Sequence, residues 1–347
     1  MVLIRSSAIL SIFLLLSCAS NQPIKVETWK QHSSNQNLMQ AISIVDEETI
    51  WLSGHGATFC KTVDSGKTWE VFSHPSDTLQ FRDIHAFDES NAVLMSAGPG
   101  SSSRIYLFDG QTIEYKEAYV MPHPEGFLNT IEFWDNKNGL AFGDSFNGQL
   151  FVLKTTDGGQ TWSRINPSKL PPAGKGEGGF AASGTCISLL KGGKAYIGTG
   201  AGGNSRILSS TDYGDTWTHA DSPLARGEAA GIFSIRMKKD LGLIAGGDLN
   251  QSDSNTSNVA LSEDGGKSWK LTNAPLTKGA FYGSDLERIK DQNFIFVCGP
   301  GGIDYSFNKG ETWINQDTTS YWAMDIHKSG FGYAVGTEGK ILRIEIN

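Results

Sequence analysis

From residue 41 onward the chain is written in short runs in which apolar positions alternate with polar ones or form brief β-branched and aromatic stretches, separated by polar, glycine-containing links. The first such runs are AISIV (41–45), TIWLSG (49–54), TFCKT (58–62) and WEVF (69–72). A period of two places successive side chains on opposite faces of an extended backbone, so each run predicts a short β-strand. Similar quartets begin at Ile84, Leu128, Thr185, Ile232 and Ser284. The closing segment, 321–347, holds three more runs and then stops, one strand short of a quartet. VETWKQH (26–32), near the start, is an unassigned strand of the right length to complete it.

A second regularity lies between the third and fourth runs. TVDSGKTW (62–69), TTDGGQTW (155–162), STDYGDTW (210–217), SEDGGKSW (262–269) and SFNKGETW (306–313) share one pattern, an acid or its amide, then Gly two residues on and Trp five residues on. The side chains of Asp64, Asp157, Asp212, Asp264 and Asn308 can accept hydrogen bonds from the amide two residues on, as in an Asx-turn. The glycine supplies a positive-φ turn position, and the Trp offers a broad ring to pack between neighbouring sheets. From Asp157 onward these positions are 55, 52 and 44 residues apart, whereas Asp64 and Asp157 are separated by 93, room for two units. RIYLFDGQTIEY (104–115) sits midway as a degenerate copy centred on Asp109.

The five motifs resemble the Asp-box, or BNR repeat, of β-propellers found in sialidases, other glycoside hydrolases, sortilin-type receptors and photosystem II assembly factors. The resemblance implies an all-β fold: a single seven-bladed β-propeller of four-stranded antiparallel blades over residues 26–347, closed by pairing 26–32 with Ile341–Ile346. It also implies that the boxes are structural and lie on the face away from any active site.

Composition agrees with this pattern. Glycine supplies 41 of 347 residues against an average near 7%, which excludes a helical bundle or coiled coil and favours many strands joined by tight turns. The formal charge is −8, with 29 Lys+Arg spread among 37 Asp+Glu; without a clustered positive field, nucleic acid is excluded as a partner.

The N-terminus reads as an address. An early Arg5 and an apolar run over 8–16 form a secretory leader too short to span a bilayer. Its ending, Leu15-Leu16-Ser17-Cys18, resembles the bacterial lipobox, which implies a signal peptide at 1–17, diacylation of Cys18 and a lipidated tether at 18–25. Ala19, in place of the Asp that retains many lipoproteins at the inner membrane, points to an outer-membrane or periplasm-facing location. Cys60, Cys186 and Cys298 lie in apolar strands and are expected to be buried free thiols.

The loops between blades and between second and third strands fall on the face opposite the boxes, and they are rich in glycine. There the Pro-containing loops MPHPEGF (121–127), LPPAGKGEGGF (170–180) and SPLARGEAAGIF (222–233) present Glu125, Glu177 and Glu228. Asp144 and Asp248 come from neighbouring loops, with Arg82, Arg226 and Arg236 as nearby cations. These eight residues are the expected ligand-binding set. The expected function is a lipid-anchored, extracytoplasmic, non-catalytic scaffold for a protein or glycan partner. The alternative is a glycoside hydrolase using Glu177, Glu228, Asp144 and Asp248 at general acid/base distance. The chain departs from a sialidase at Phe81-Arg82-Asp83-Ile84, where that family has Phe-Arg-Ile-Pro. No histidine pair has metal-ligand spacing and no cofactor motif is present, so neither a metal nor a cofactor is expected.

Overall fold

The computed structural model describes residues 25–32 and 37–347; the leader, Cys18 and most of the tether lie outside the described residues. Among the described residues, twenty-eight strands form seven four-stranded antiparallel sheets, with three single-turn 3-10 segments between them. Six of the sheets are consecutive in the chain. The seventh contains Tyr321–Ile326, Phe331–Gly336 and Lys340–Ile346, with Val26–His32 as its outermost strand. The register runs from Val26 opposite Ile346 to His32 opposite Lys340, so the two ends of the chain tie the ring shut and leave no open blade.

The innermost strands begin blades 1 to 7 at Met39, Phe81, Leu128, Ile187, Ala230, Gly283 and Tyr321, and neighbours among them touch all round the ring. The degenerate copy does form the third and fourth strands of blade 2, Arg104–Asp109 and Glu114–Val120.

The apolar core is divided into wedges between blades. One cluster joins Ala41, Trp51 and Phe59 of blade 1 to Phe81, Leu94 and Phe108 of blade 2, and further clusters occupy each of the other six blade interfaces. The repeat tryptophans belong to these wedges: Trp69 meets Tyr333 of blade 7 edge-on at 6.1 Å, and Trp217 packs in the cluster shared by blades 3 and 4. Blade 2 lacks the motif Trp. Trp51 of blade 1 fills that wedge, 6.0 Å from Phe108, with its Nε1–H donated to the Asp88 carbonyl at 3.0 Å.

The repeat hairpins are stapled differently from a simple Asx-turn. In each of the four acidic copies the carboxylate accepts from the amide four residues on, and from hydroxyls two residues before and four after. For Asp64 these are Thr68 N–H at 2.9 Å, Thr62 Oγ1 at 2.7 Å and Thr68 Oγ1 at 2.7 Å. Asn308 makes the same ring with its amide nitrogen donating to Thr312 Oγ1. Two successive positive-φ residues, such as Ser65 and Gly66, make the turn, so the acid must reach across both. The Thr68 amide and hydroxyl hold Asp64 down to about 2.

Candidate functional site

The two mouths of the channel are built differently. On the loop-rich face, the innermost strands of blades 1, 2, 3, 5 and 7 carry a register shift at Gln40, Arg82, Asn129, Phe233 and Trp322 respectively. A bulge re-aims the extra side chain. Several of these bulged residues grip one segment, residues 180–184, which leads into blade 4. Gln40 Nε2 donates to the Ala181 and Ala182 carbonyls at 3.1 and 3.3 Å, and Arg82 Nη1 lies 3.5 Å from the Ala181 carbonyl. Phe180 stacks on Phe233 at 3.8 Å. Ser183 Oγ donates to the Tyr282 carbonyl of blade 6 at 2.6 Å, and Thr130 of blade 3 donates to the Gly184 carbonyl at 3.0 Å.

A segment from blade 4 that bonds to or stacks on blades 1, 2, 3, 5 and 6 lies across the mouth and plugs it. Gly184 makes the crossing feasible: its φ is +68°, and a Cβ there would sit 2.1 Å from Asp83 Oδ1. Ala181, Ala182 and Ser183 are buried.

The plug changes the standing of the expected binding set. Glu177, expected at the mouth, is 1% exposed. It is clamped by Arg206 through Nε at 2.9 Å and Nη2 at 2.5 Å, with further bonds from Thr199 Oγ1 and the Gly174 amide. It is a strut for the loop before the plug and offers no free carboxylate. Asp144 accepts from Asn129 Nδ2 and the Gly179 amide, and burial raises its pKa. Asp248 caps its own loop through the Asn250 amide and Gln251 side chain. Glu125 and Glu228 are exposed, and Arg226 reaches Asp221 at 3.5 Å. Arg82 is tied to Gln80 and the plug. Of the four candidate acid/base groups, Glu177 is held by Arg206, Asp144 by Asn129 and Gly179, and Asp248 by its own loop, and only Glu228 is exposed without a side-chain hydrogen bond or ion pair among the described residues.

The other mouth, on the face of the repeat hairpins, is open. A cavity of about 1230 Å³ enters the channel there, lined at its inner end by Glu132, Arg236, Asp285 and Asp325. Of the expected set only Arg236 belongs to it. Each charged group comes from an innermost strand: Glu132 from blade 3, Arg236 and Lys238 from blade 5, Asp285 and Glu287 from blade 6, Asp325 from blade 7. Arg236 Nε is 3.6 Å from Asp285 Oδ1, Lys238 pairs with Glu287, and Glu132 accepts from His85 Nδ1 at 3.1 Å. Asp285 also accepts from the Leu286 amide at 2.7 Å and from the Ile326 amide of blade 7. Asp83 plays the same role between blades 2 and 3, accepting from the Ile131 amide at 2.7 Å.

Electrostatics sets the four inner groups apart. Burial opposes ionisation of Glu132, but the bond and charge of His85 bring its pKa below the ordinary value. Burial likewise disfavours the Arg236 charge, and the carboxylates of Asp285, Asp325, Glu132 and Asp83 outweigh it and raise its pKa. The Asp325 side chain makes no hydrogen bond or ion pair among the described residues, although the Arg236 and Lys238 charges act to lower its pKa. Burial and the adjacent Asp285 charge push it up to about 7. Part of its surface remains open to the channel although it lies deep among protein atoms.

Sequence reading passed over Asp285, Asp325, Glu132, Lys238 and His85. The available signal was charge inside otherwise apolar innermost strands, where an ionised side chain is costly without a partner or a ligand. Among the described residues, no three His, Cys, Asp or Glu side chains are grouped to hold a metal ion. Cys60, Cys186 and Cys298 are free and buried.

No family model and no curated protein matches this chain. Solved structures do match. YCF48 bound to D1 peptide aligns with a TM-score of 0.64 and 15% identity over 92% of this chain and 95% of that one. YCF48 from Cyanidioschyzon merolae aligns with a TM-score of 0.62 and 13% identity over 91% of this chain and 98% of that one. A virginiamycin B lyase from Staphylococcus aureus aligns with a TM-score of 0.64 and 13% identity over 93% of this chain and all of that one. At such identities the likeness establishes the β-propeller fold and leaves function to the site.

Proposed function

We propose that this chain is an exported, lipid-anchored propeller that serves as a non-catalytic docking scaffold for a protein partner. The observation that carries the reading is the open, mixed-charge cavity of about 1230 Å³ on the hairpin face. It is larger than the ~300–1,000 Å³ usual for a small-molecule pocket, and most of its charges are already paired across blades, the state of a preformed surface that receives another chain. Support comes from the solved propeller of the same fold described as bound to a peptide. The lipobox-like leader and the polar tether would hold the ring at a membrane facing the periplasm, within reach of a membrane-associated client.

An enzymatic reading has one observation behind it, the Asp325 carboxyl raised to about 7 beside Asp285, a protonation state suited to a general acid. Asp285 is committed to two amides and Arg236, which leaves no second free carboxylate beside it.

The test is affinity capture of the full lipidated chain from membranes in mild detergent, with mass spectrometry of co-purifying proteins. A reproducibly enriched partner is the expected result. No enriched partner, together with turnover of an oligosaccharide panel that Asp325→Asn abolishes, overturns the proposal in favour of a hydrolase.

A further inference from the structure

Among the charged side chains at the inner end of the cavity, the carboxylates of Glu132, Asp285, Asp325 and Glu287 outnumber the cations Arg236 and Lys238. Ion pairing accounts for Asp285 with Arg236, Glu287 with Lys238 and Glu132 with His85. Asp325 is left over: its side chain makes no hydrogen bond or ion pair among the described residues, and the Arg236 and Lys238 charges, paired with Asp285 and Glu287, act on it only from a distance. The outer rim has the opposite character. Lys191 and Lys194, from the first hairpin of blade 4, and Lys239, from that of blade 5, line the entrance and make no ion pair with any described residue; Asp240 lies among them, while Glu263 pairs with Lys309 and Arg288 with Asp291. A charge taken out of water without a direct partner is costly, so the excess of carboxylates at the inner end leaves a place for a further cation, while the unpaired lysines of the rim favour anions.

We propose that this cavity is the docking pocket for one basic side chain, arginine or lysine, presented by an extended polypeptide with acidic residues on either side. The inference rests on the reading of the protein as a scaffold for a protein partner and names the chemistry of that partner. The basic head enters the channel and pairs with Asp325, and the flanking carboxylates meet Lys191, Lys194 and Lys239. The plug at 180–184 lies across the far mouth, so the side chain enters a channel closed at its other end, where water is limited and the ion pair is worth more than at a surface.

The arrangement has a pH signature. Asp325 is faced by Asp285 of blade 6, Arg236 and Lys238 of blade 5, and Glu132 of blade 3. Burial and the two carboxylates keep it largely protonated below neutrality, and an arriving cation favours its ionised form. Binding therefore tightens as pH rises through about 7 and releases a proton.

The experiment is calorimetry of the full chain with a capped heptapeptide, Glu-Glu-Gly-Arg-Gly-Glu-Glu, and with the same peptide carrying citrulline in place of arginine. Citrulline keeps the shape and removes the charge. The expected result is a ten- to hundredfold weaker citrulline complex, equivalent to about 1.4–2.7 kcal/mol. Asp325→Asn is expected to erase that difference, and Lys191→Glu with Lys239→Glu to weaken both peptides and flatten the salt dependence. Equal binding of the two peptides, an unchanged Kd for Asp325→Asn that melts normally, or free arginine binding as tightly as the peptide would each overturn the proposal. The docking reading is judged apart from this: if the captured partner is retained by Asp325→Asn as by the unmodified chain, the scaffold stands and the pocket assignment falls.

Discussion

The two mouths of one channel use the same innermost strands for opposite purposes. At the loop-rich mouth the buried charged and amide side chains serve structure: Gln40 and Arg82 hold carbonyls of the plug, and Glu177 is locked to Arg206. At the hairpin mouth the strands carry charges facing an open cavity, and the Asp325 side chain makes no hydrogen bond or ion pair among the described residues. The difference follows from connection length. The long link before blade 4 has enough chain to cross the axis on one face, whereas the short first-to-second-strand hairpins on the other face, such as Lys191–Lys194, cannot reach it. A conspicuous loop face is therefore no guide to an accessible site when one of its loops is long enough to fill the mouth.

The comparison can be broken most severely at Glu177. Glu177→Ala leaves the Arg206 guanidinium uncompensated in a site where its side chain is 14% exposed, and the expected loss is about 3–5 kcal/mol, read from the denaturant midpoint. A loss below ~1 kcal/mol would show that the loop before the plug does not depend on this pair. Gly184→Ala comes next. It places a Cβ at positive φ against the Asp83 carboxylate and is expected to cost about 2–4 kcal/mol by strain and overpacking. The variant should also show faster amide exchange in 180–184, and an unchanged exchange profile would argue that the plug is not anchored there.

Asp325→Asn acts in the other direction. The folded pKa of Asp325, about 7, exceeds the ordinary value near 3.9. The folded protein therefore binds the extra proton between those values, and stability declines as pH rises from about 4 to 7. Asparagine removes that decline. The variant should match the parent near pH 4 and be more stable than it above pH 7.5, measured by melting at several pH values. Parallel pH profiles would contradict the proposed isolation of this carboxylate. The smallest effect is expected at Glu228 and Glu125, which are exposed on the plugged face: replacement of either by Gln should change stability by less than ~0.5 kcal/mol and leave partner capture intact. Loss of capture in these variants would move the docking surface to the plugged face.

Much of the fold was legible along the chain because its causes are local. A period of two makes a strand, and the acid, Gly and Trp of each repeat make a hairpin whose bonds span only six residues, from Thr62 to Thr68 in the first copy. Even the closure by Val26–His32 could be read, since a quartet lacking one strand and a spare strand at the other terminus leave one way to finish the ring. The substitution of Trp51 for the missing Trp of blade 2 could not, because that ring is supplied by a neighbouring blade.

What only the tertiary structure decided is which polar groups meet. Glu177 and Arg206 are 29 residues apart, and the Gln40 contact with Ala181 spans 141. Asp285 and Ile326, 41 apart, are joined because adjacent blades lay their innermost strands side by side. Strand periodicity specifies which face of a sheet a side chain occupies. Whether a charge on the axial face finds a partner, a plug or open water depends on what the other six blades and one long loop place opposite it.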